Sequence, residues 1–112
     1  MRKTIGDSSM CWKCGANGSS DPLDIHEIFF GSGNRKLSIE DGFCVALCHN
    51  SCHIFGPEAV HQNRVEDLKL KRQGQRYAMA KGWTMEDFIR RYGRNYLDEH
   101  GLDIEMEEDE IC

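Results

Sequence analysis

Residues 11–14 read Cys-Trp-Lys-Cys and residues 48–53 read Cys-His-Asn-Ser-Cys-His, so two short cysteine pairs stand 33 residues apart. Structural Zn²⁺ takes four ligands in a tetrahedron, and a Cys-x2-4-Cys turn presents two thiolates on one side of the ion. Two such turns close the coordination shell and leave no open position. The spacing therefore predicts a structural zinc site formed by Cys11, Cys14, Cys48 and Cys52. His53 is an alternative to Cys52 as the fourth ligand.

The length and composition of the chain favour a metal site of this kind. The chain has 112 residues, of which 39% are hydrophobic and six are cysteine, and a domain of this size often needs a staple besides its core. The N-terminus has no apolar signal segment, and no apolar stretch approaches the roughly 18 residues of a membrane span. We therefore expect a cytoplasmic protein without a membrane partner, and in that compartment clustered cysteines indicate metal rather than disulfides.

Charge is distributed unevenly along the chain, whose net charge is −5. Residues 98–112 hold eight acidic residues and no Lys or Arg, whereas residues 1–97 hold eleven acidic and all fourteen basic residues. The body is therefore mildly basic, which is compatible with phosphate binding. The acidic tail is expected to be disordered, either as a solubilising extension or as a cover for a basic surface.

Local patterns predict an α+β chain after a lead-in over residues 1–10. Alternation and β-forming side chains favour a strand over 23–30, and a second short strand follows at 43–47. The Gly- and Asn-containing stretch 31–42 between them reads as a loop. Residues 48–56 read as a second Cys/His-rich turn.

Helices are predicted in the second half of the chain. Pro57 suits a first helical position, and a helix starting there would carry His61 in its first turns, where the helix dipole favours a phosphate. A longer helix is predicted over 63–81, with Val65 and Leu68 facing inward.

The last predicted helix has the clearest boundaries. Thr84 is its N-cap, with Asp87 three residues later as in a capping box, and Gly93 ends it. One apolar face follows the helical spacing and comprises Met85, Phe88, Ile89 and Tyr92.

Histidines cluster around the predicted strands. His26 lies on the first strand and precedes Glu27, and His49, His53 and His61 follow the second. An unperturbed imidazole has a pKa of about 6.5, so its neutral form is available at pH 7 to accept a proton or bind a metal.

Several segments carry a family resemblance when they are taken in order. They are DIHEIFFG at 24–31, NRKLS at 34–38, LCHNSCH at 47–53, VHQN at 60–63, and Phe88 followed by YGRNYL at 92–97. Together they resemble small phage and prophage endonucleases of the HNH (ββα-metal, His-Me finger) family, over about residues 11–97. The resemblance implies an α+β HNH nuclease domain over 11–97. In this domain a zinc-stapled ββα-metal unit is followed by C-terminal helices, and the acidic tail 98–112 comes after the domain.

The same resemblance implies a metal-dependent DNA endonuclease that acts in recombination, repair or DNA processing. On this basis His26 is the general base, His61 binds the catalytic Mg²⁺, Mn²⁺ or other divalent ion, and His53 is a second ligand or positions the phosphate. Many family members carry two adjacent functional residues at the end of the first strand. An alternative therefore makes His26 the ligand and places Glu27 at the base position; Glu27 also has a possible role in holding the metal.

Basic residues near these positions are candidates for contacts with the DNA backbone. They are Arg35 and Lys36 in the inter-strand segment, and Lys69 and Arg72 on the long helix. A zinc-stapled DNA-binding or recombination accessory protein without catalysis is the alternative function. Monomer and homodimer both remain open.

Overall fold

The computed structural model describes residues 3–31 and 33–97, which form a small α+β structure with a two-stranded sheet. The elements are β1 (Leu23–Glu27), α1 (Asn34–Asp41), β2 (Cys44–Cys48), a π-helical segment (His49–Ile54), α2 (Arg64–Ala80) and α3 (Met85–Tyr92). The predicted disordered tail, 98–112, lies outside the described residues. In the described part of the chain, no helix is both long and apolar enough to cross a membrane.

The two predicted strands form an antiparallel hairpin in which Leu23 pairs with Cys48 and His26 with Val45. The first strand ends at Glu27, earlier than predicted. Every residue of β2 is buried. The other edge of β2 is covered by the segment N-terminal to β1, because the backbone N–H groups of Ile5 and Trp12 donate to carbonyls of β2. This cover satisfies backbone groups that an edge strand would leave unpaired.

The predicted loop over 31–42 is wrong, because this stretch contains α1. The glycines that suggested a loop are the helix boundaries: Gly33 has φ 84° and Gly42 has φ 75°, a left-handed region that suits glycine. Ser38 on α1 is buried, and its hydroxyl donates to the Phe43 carbonyl and accepts from the Phe29 N–H. These bonds hold α1 against the hairpin.

The predicted helix beginning near Pro57 is also wrong, because residues 57–62 form turns. The helix begins at Arg64, since the Asn63 side chain caps it by accepting from the backbone N–H groups of Val65 and Glu66. Val65 was expected to face inward but is 46% exposed. His61 therefore lies in a turn and not on a helix.

An aromatic cluster forms the core beneath the hairpin, and its members are Phe29, Phe43, Trp83, Phe88, Tyr92 and Tyr96. Gly74 lets α2 approach this cluster, because a Cβ at that position would lie 2.9 Å from the Phe29 ring. The predicted capping box and Gly93 terminus of α3 are confirmed. Ile89 was expected on the apolar face but is 39% exposed.

Candidate metal centres

The four predicted cysteines lie together at one end of the hairpin. Cys11 and Cys14 come from the turn before β1, Cys48 ends β2, and Cys52 lies in the π-helical segment. Their sulfur atoms all lie within 4.8 Å of one another, and Cys14 Sγ is 3.5 Å from Cys48 Sγ. Tetrahedral Zn²⁺ with bonds of about 2.3 Å places its sulfurs about 3.8 Å apart. The cluster can therefore hold a structural metal such as zinc.

Three of the four thiols have shifted pKa values. Burial opposes ionisation of Cys11, but the backbone N–H groups of Cys14 and Cys48, which donate to its sulfur, outweigh this and lower its pKa to about 7. Burial raises the pKa of Cys48 to about 12 and that of Cys52 to about 11. Two of the thiols are therefore protonated without a cation, and metal binding must displace their protons.

A second cluster contains three imidazoles from three different parts of the fold. His26 comes from β1, His53 from the π-helical segment, and His61 from the turns before α2. The ring centroids are 4.9 Å (His26–His53), 5.2 Å (His26–His61) and 4.8 Å (His53–His61) apart. The rings line a cavity of about 240 Å³, and one nitrogen from each lies within 4.8 Å of the others.

His26 is the most enclosed of the three, with only 3% of its surface exposed. Its Nε2 atom is buried and has no hydrogen-bond partner in the described structure. Burial, and then the neighbouring His53 and His61, lower its pKa to about 3. The ring is therefore neutral at pH 7, with a polar nitrogen whose burial is costly unless something binds it. A metal ion or a water molecule would meet that need.

Asp24 is a functional candidate that sequence reasoning missed. His53 Nδ1 donates to Asp24 Oδ2 at 2.8 Å, and His49 Nδ1 donates to the same oxygen at 2.6 Å. A carboxylate on Nδ1 leaves the Nε2 lone pair of His53 available to a metal. Asp24 and His26 share one face of β1 because strand side chains alternate. The spacing of two residues between Asp24 and His26 was the sequence signal that could have identified Asp24 as a site residue.

Asp21 fixes the segment that carries these histidines. One carboxylate oxygen accepts from the Asn50 backbone and side-chain nitrogens, and the other accepts from the Ser51 N–H and hydroxyl. The backbone donors of Asn50 and Ser51 contribute most to lowering the Asp21 pKa to about 2. The π-helical segment is thus held by both the cysteine cluster and this carboxylate.

The remaining predicted site residues are only partly brought together. Glu27 and Arg35 line the histidine cavity, with Arg35 Nε 3.5 Å from Glu27 Oε1. Lys36 is exposed on α1 and is absent from that cavity. Lys69 pairs with Glu66 and lines a separate cavity beside Trp12.

Arg72 lies on α2 with its Nε atom buried, and it does not line the histidine cavity. Of the four basic residues predicted to contact DNA, Arg35 alone lines that cavity.

Comparisons with protein-family models, curated proteins and solved structures find no match to this chain. The interpretation of the two clusters therefore depends on their own geometry.

Proposed function

We propose that this protein is a metal-dependent nuclease of the HNH type, which hydrolyses phosphodiester bonds in DNA. The observation that carries the proposal is the convergence of His26, His53 and His61 in one cavity, with Asp24 behind one ring. The cysteine cluster is proposed to hold a structural Zn²⁺ that keeps the π-helical segment in place. Phage origin and a role in recombination, repair or DNA processing belong to this proposal as expectations from the family resemblance.

The donor set fits a divalent cation and narrows its identity. Imidazole suits transition metals such as Mn²⁺, Co²⁺, Ni²⁺ and Zn²⁺, whereas Mg²⁺ prefers oxygen ligands. A bound cation would supply electrostatic stabilisation of the charge that develops on the phosphate. His53 and His61 are the residues proposed to hold it. Arg35, on the rim of the cavity, is placed to bind a phosphate oxygen.

His26 has two chemically distinct roles open to it. As general base, its neutral ring accepts the proton of the attacking water. As a third metal ligand, it leaves proton abstraction to Glu27, which lines the same cavity. Its low exposure favours the ligand role, whereas the family resemblance favours the base role.

Plasmid nicking with Mn²⁺ or Mg²⁺, with and without EDTA, tests the activity. We expect cleavage that EDTA abolishes and that Mn²⁺ restores in zinc-reloaded protein, with Mn²⁺ more effective than Mg²⁺. A folded protein that binds DNA but does not nick it with any divalent metal would support the accessory function instead.

Two variants, His26→Ala and Glu27→Gln, then separate the roles of His26. If His26 is the base, His26→Ala lowers kcat by about 10²–10⁴-fold while Mn²⁺ affinity is largely kept. If it is a ligand, His26→Ala lowers Mn²⁺ affinity and Glu27→Gln lowers kcat. Zinc content serves as the folding control for both variants.

A further inference from the structure

A second cavity adjoins the histidine cluster. It has a volume of about 300 Å³ and shares Phe30 and His61 with the histidine cavity. Its other polar walls come from the turn before α2, from α2 and from the segment after α3, and they are Gln62, Arg64, Asp67, Lys71, Arg94 and Tyr96. We call this space the flank cavity. An extended ligand that occupies both cavities has to pass the His61 and Phe30 rings.

The flank cavity has an excess of positive charge. Lys71 Nζ lies 2.8 Å from Asp67 Oδ2 and 4.2 Å above the Phe30 ring, so the lysine and the aspartate largely offset each other. The lining as a whole holds three basic side chains, Arg64, Lys71 and Arg94, against one acidic side chain, Asp67. The cavity therefore suits an anion.

Arg94 lies over an aromatic ring and forms no ion pair within the described part of the chain. Its guanidinium carbon lies 5.5 Å from the centre of the Tyr96 ring, and no acidic side chain in residues 3–31 and 33–97 forms an ion pair with it. Tyr96 is itself fixed, because it stacks on Phe29 and its backbone N–H donates to the buried Gln75. A planar guanidinium on a fixed ring is preorganised for bidentate contact with phosphate oxygens.

We propose that the flank cavity binds a phosphate of the nucleic-acid strand next to the scissile one, with Arg94 and Arg64 as its ligands. This proposal rests on the proposed function, because the histidine cluster has to hold the scissile phosphate. Each nucleotide of a strand carries one phosphate, and the two cavities share the Phe30 and His61 walls, so a strand held in the histidine cavity can continue into the flank cavity. Such contacts set the position of the strand without reading its sequence.

Binding of a fluorescein-labelled single-stranded oligonucleotide to zinc-loaded protein, measured by anisotropy with no added Mn²⁺ or Mg²⁺, tests the site without cleavage. We expect Arg94→Ala to weaken binding about 10-fold and to reduce the slope of log K against log salt by about 0.7, the value for one phosphate on a single strand. Arg94→Lys keeps the charge and most of the slope.

Arg90→Ala is the matched control, because Arg90 is an exposed arginine on α3 that lines neither cavity. The proposal is wrong if Arg94→Ala weakens binding no more than Arg90→Ala does. Competition with inorganic phosphate distinguishes a strand site from a site for the free ion. If millimolar phosphate displaces nothing while an unlabelled oligonucleotide competes, the strand is the ligand. Displacement by phosphate at micromolar concentration would overturn the strand assignment.

Kinetics separate this proposal from the proposed function. Bis(p-nitrophenyl) phosphate is a small diester with no flanking phosphate, so its hydrolysis reports on the histidine cluster. In Arg94→Ala, the ratio of kcat/KM for the oligonucleotide to that for the small diester should fall about 10-fold. An equal loss on both substrates would show a merely structural role and would overturn the proposal. If the wild type hydrolyses neither substrate, the proposed function fails, and the anisotropy series still decides whether the flank cavity binds the strand.

Discussion

Asp24 offers a sharp test of the histidine cluster, because one oxygen of its carboxylate accepts hydrogen bonds from two imidazoles. Asp24→Asn keeps the size of the side chain but removes its charge. The amide also replaces one acceptor oxygen with a donor, so His53 and His49 lose an ionic partner. The hydrogen bond that fixes the Nδ1–H tautomer of His53 and the orientation of its ring is then weaker.

The size of the effect follows from what such carboxylates do for metal-binding histidines. Removing the partner of a ligand histidine typically costs 10–100-fold in metal affinity, which corresponds to about 1.4–2.8 kcal/mol at 1.4 kcal/mol per factor of ten. Asp24 is one-third exposed, so solvent offsets part of its charge, and we expect a loss near the lower end of this range.

Titration calorimetry with Mn²⁺, on protein already loaded with one equivalent of Zn²⁺, measures this loss. Asp21→Asn is the matched control. It removes hydrogen bonds to Asn50 and Ser51 in the same π-helical segment without touching a histidine. An affinity of Asp24→Asn within twofold of the wild type, or an equal loss in Asp21→Asn, would refute the positioning role of Asp24.

Three further predictions concern the stability of the fold. Cys52→Ser should lower the zinc content from about one ion per chain to none and abolish cooperative unfolding. Cys44→Ser changes a buried thiol outside the cluster and should keep its zinc. Elemental analysis measures the zinc content of both variants, and thermal melts measure their unfolding. Gly74→Ala should destabilise the protein by about 1–3 kcal/mol in urea unfolding because its Cβ meets the Phe29 ring, and a stabilisation would show that helix propensity outweighs this contact. Asp21, whose pKa is lowered from 3.8 to about 2 by its hydrogen bonds, stabilises the fold above pH 3.8 and loses this effect as the pH falls through 2. At pH 7, where zinc stays bound, the unfolding free energy of Asp21→Asn should therefore be lower than that of the wild type, and an equal value would contradict this account.

The correct predictions from sequence depended on short-range rules. Thr84, Asp87 and Gly93 delimit α3 because capping involves residues within one turn of each other. The same rules failed around α1, where its flanking glycines resemble loop residues, and before α2, where Pro57 suggested a helix start that Asn63 provides instead. In both cases contacts with the rest of the molecule decided between two locally acceptable conformations.

The amino-acid sequence by itself identified the candidate metal ligands: four cysteines at zinc-knuckle spacing, and histidines beside them. Only the tertiary structure decided that Asp24 lies behind His53, that Lys69 lines a separate cavity, and that Arg94 borders a cavity next to His61. The physical reason is that ligand type is a property of each side chain, whereas convergence depends on hairpin register and on helix packing. In the described chain these bring together Asp24 and His53, which are 29 positions apart, and His61 and Arg94, which lie on different elements.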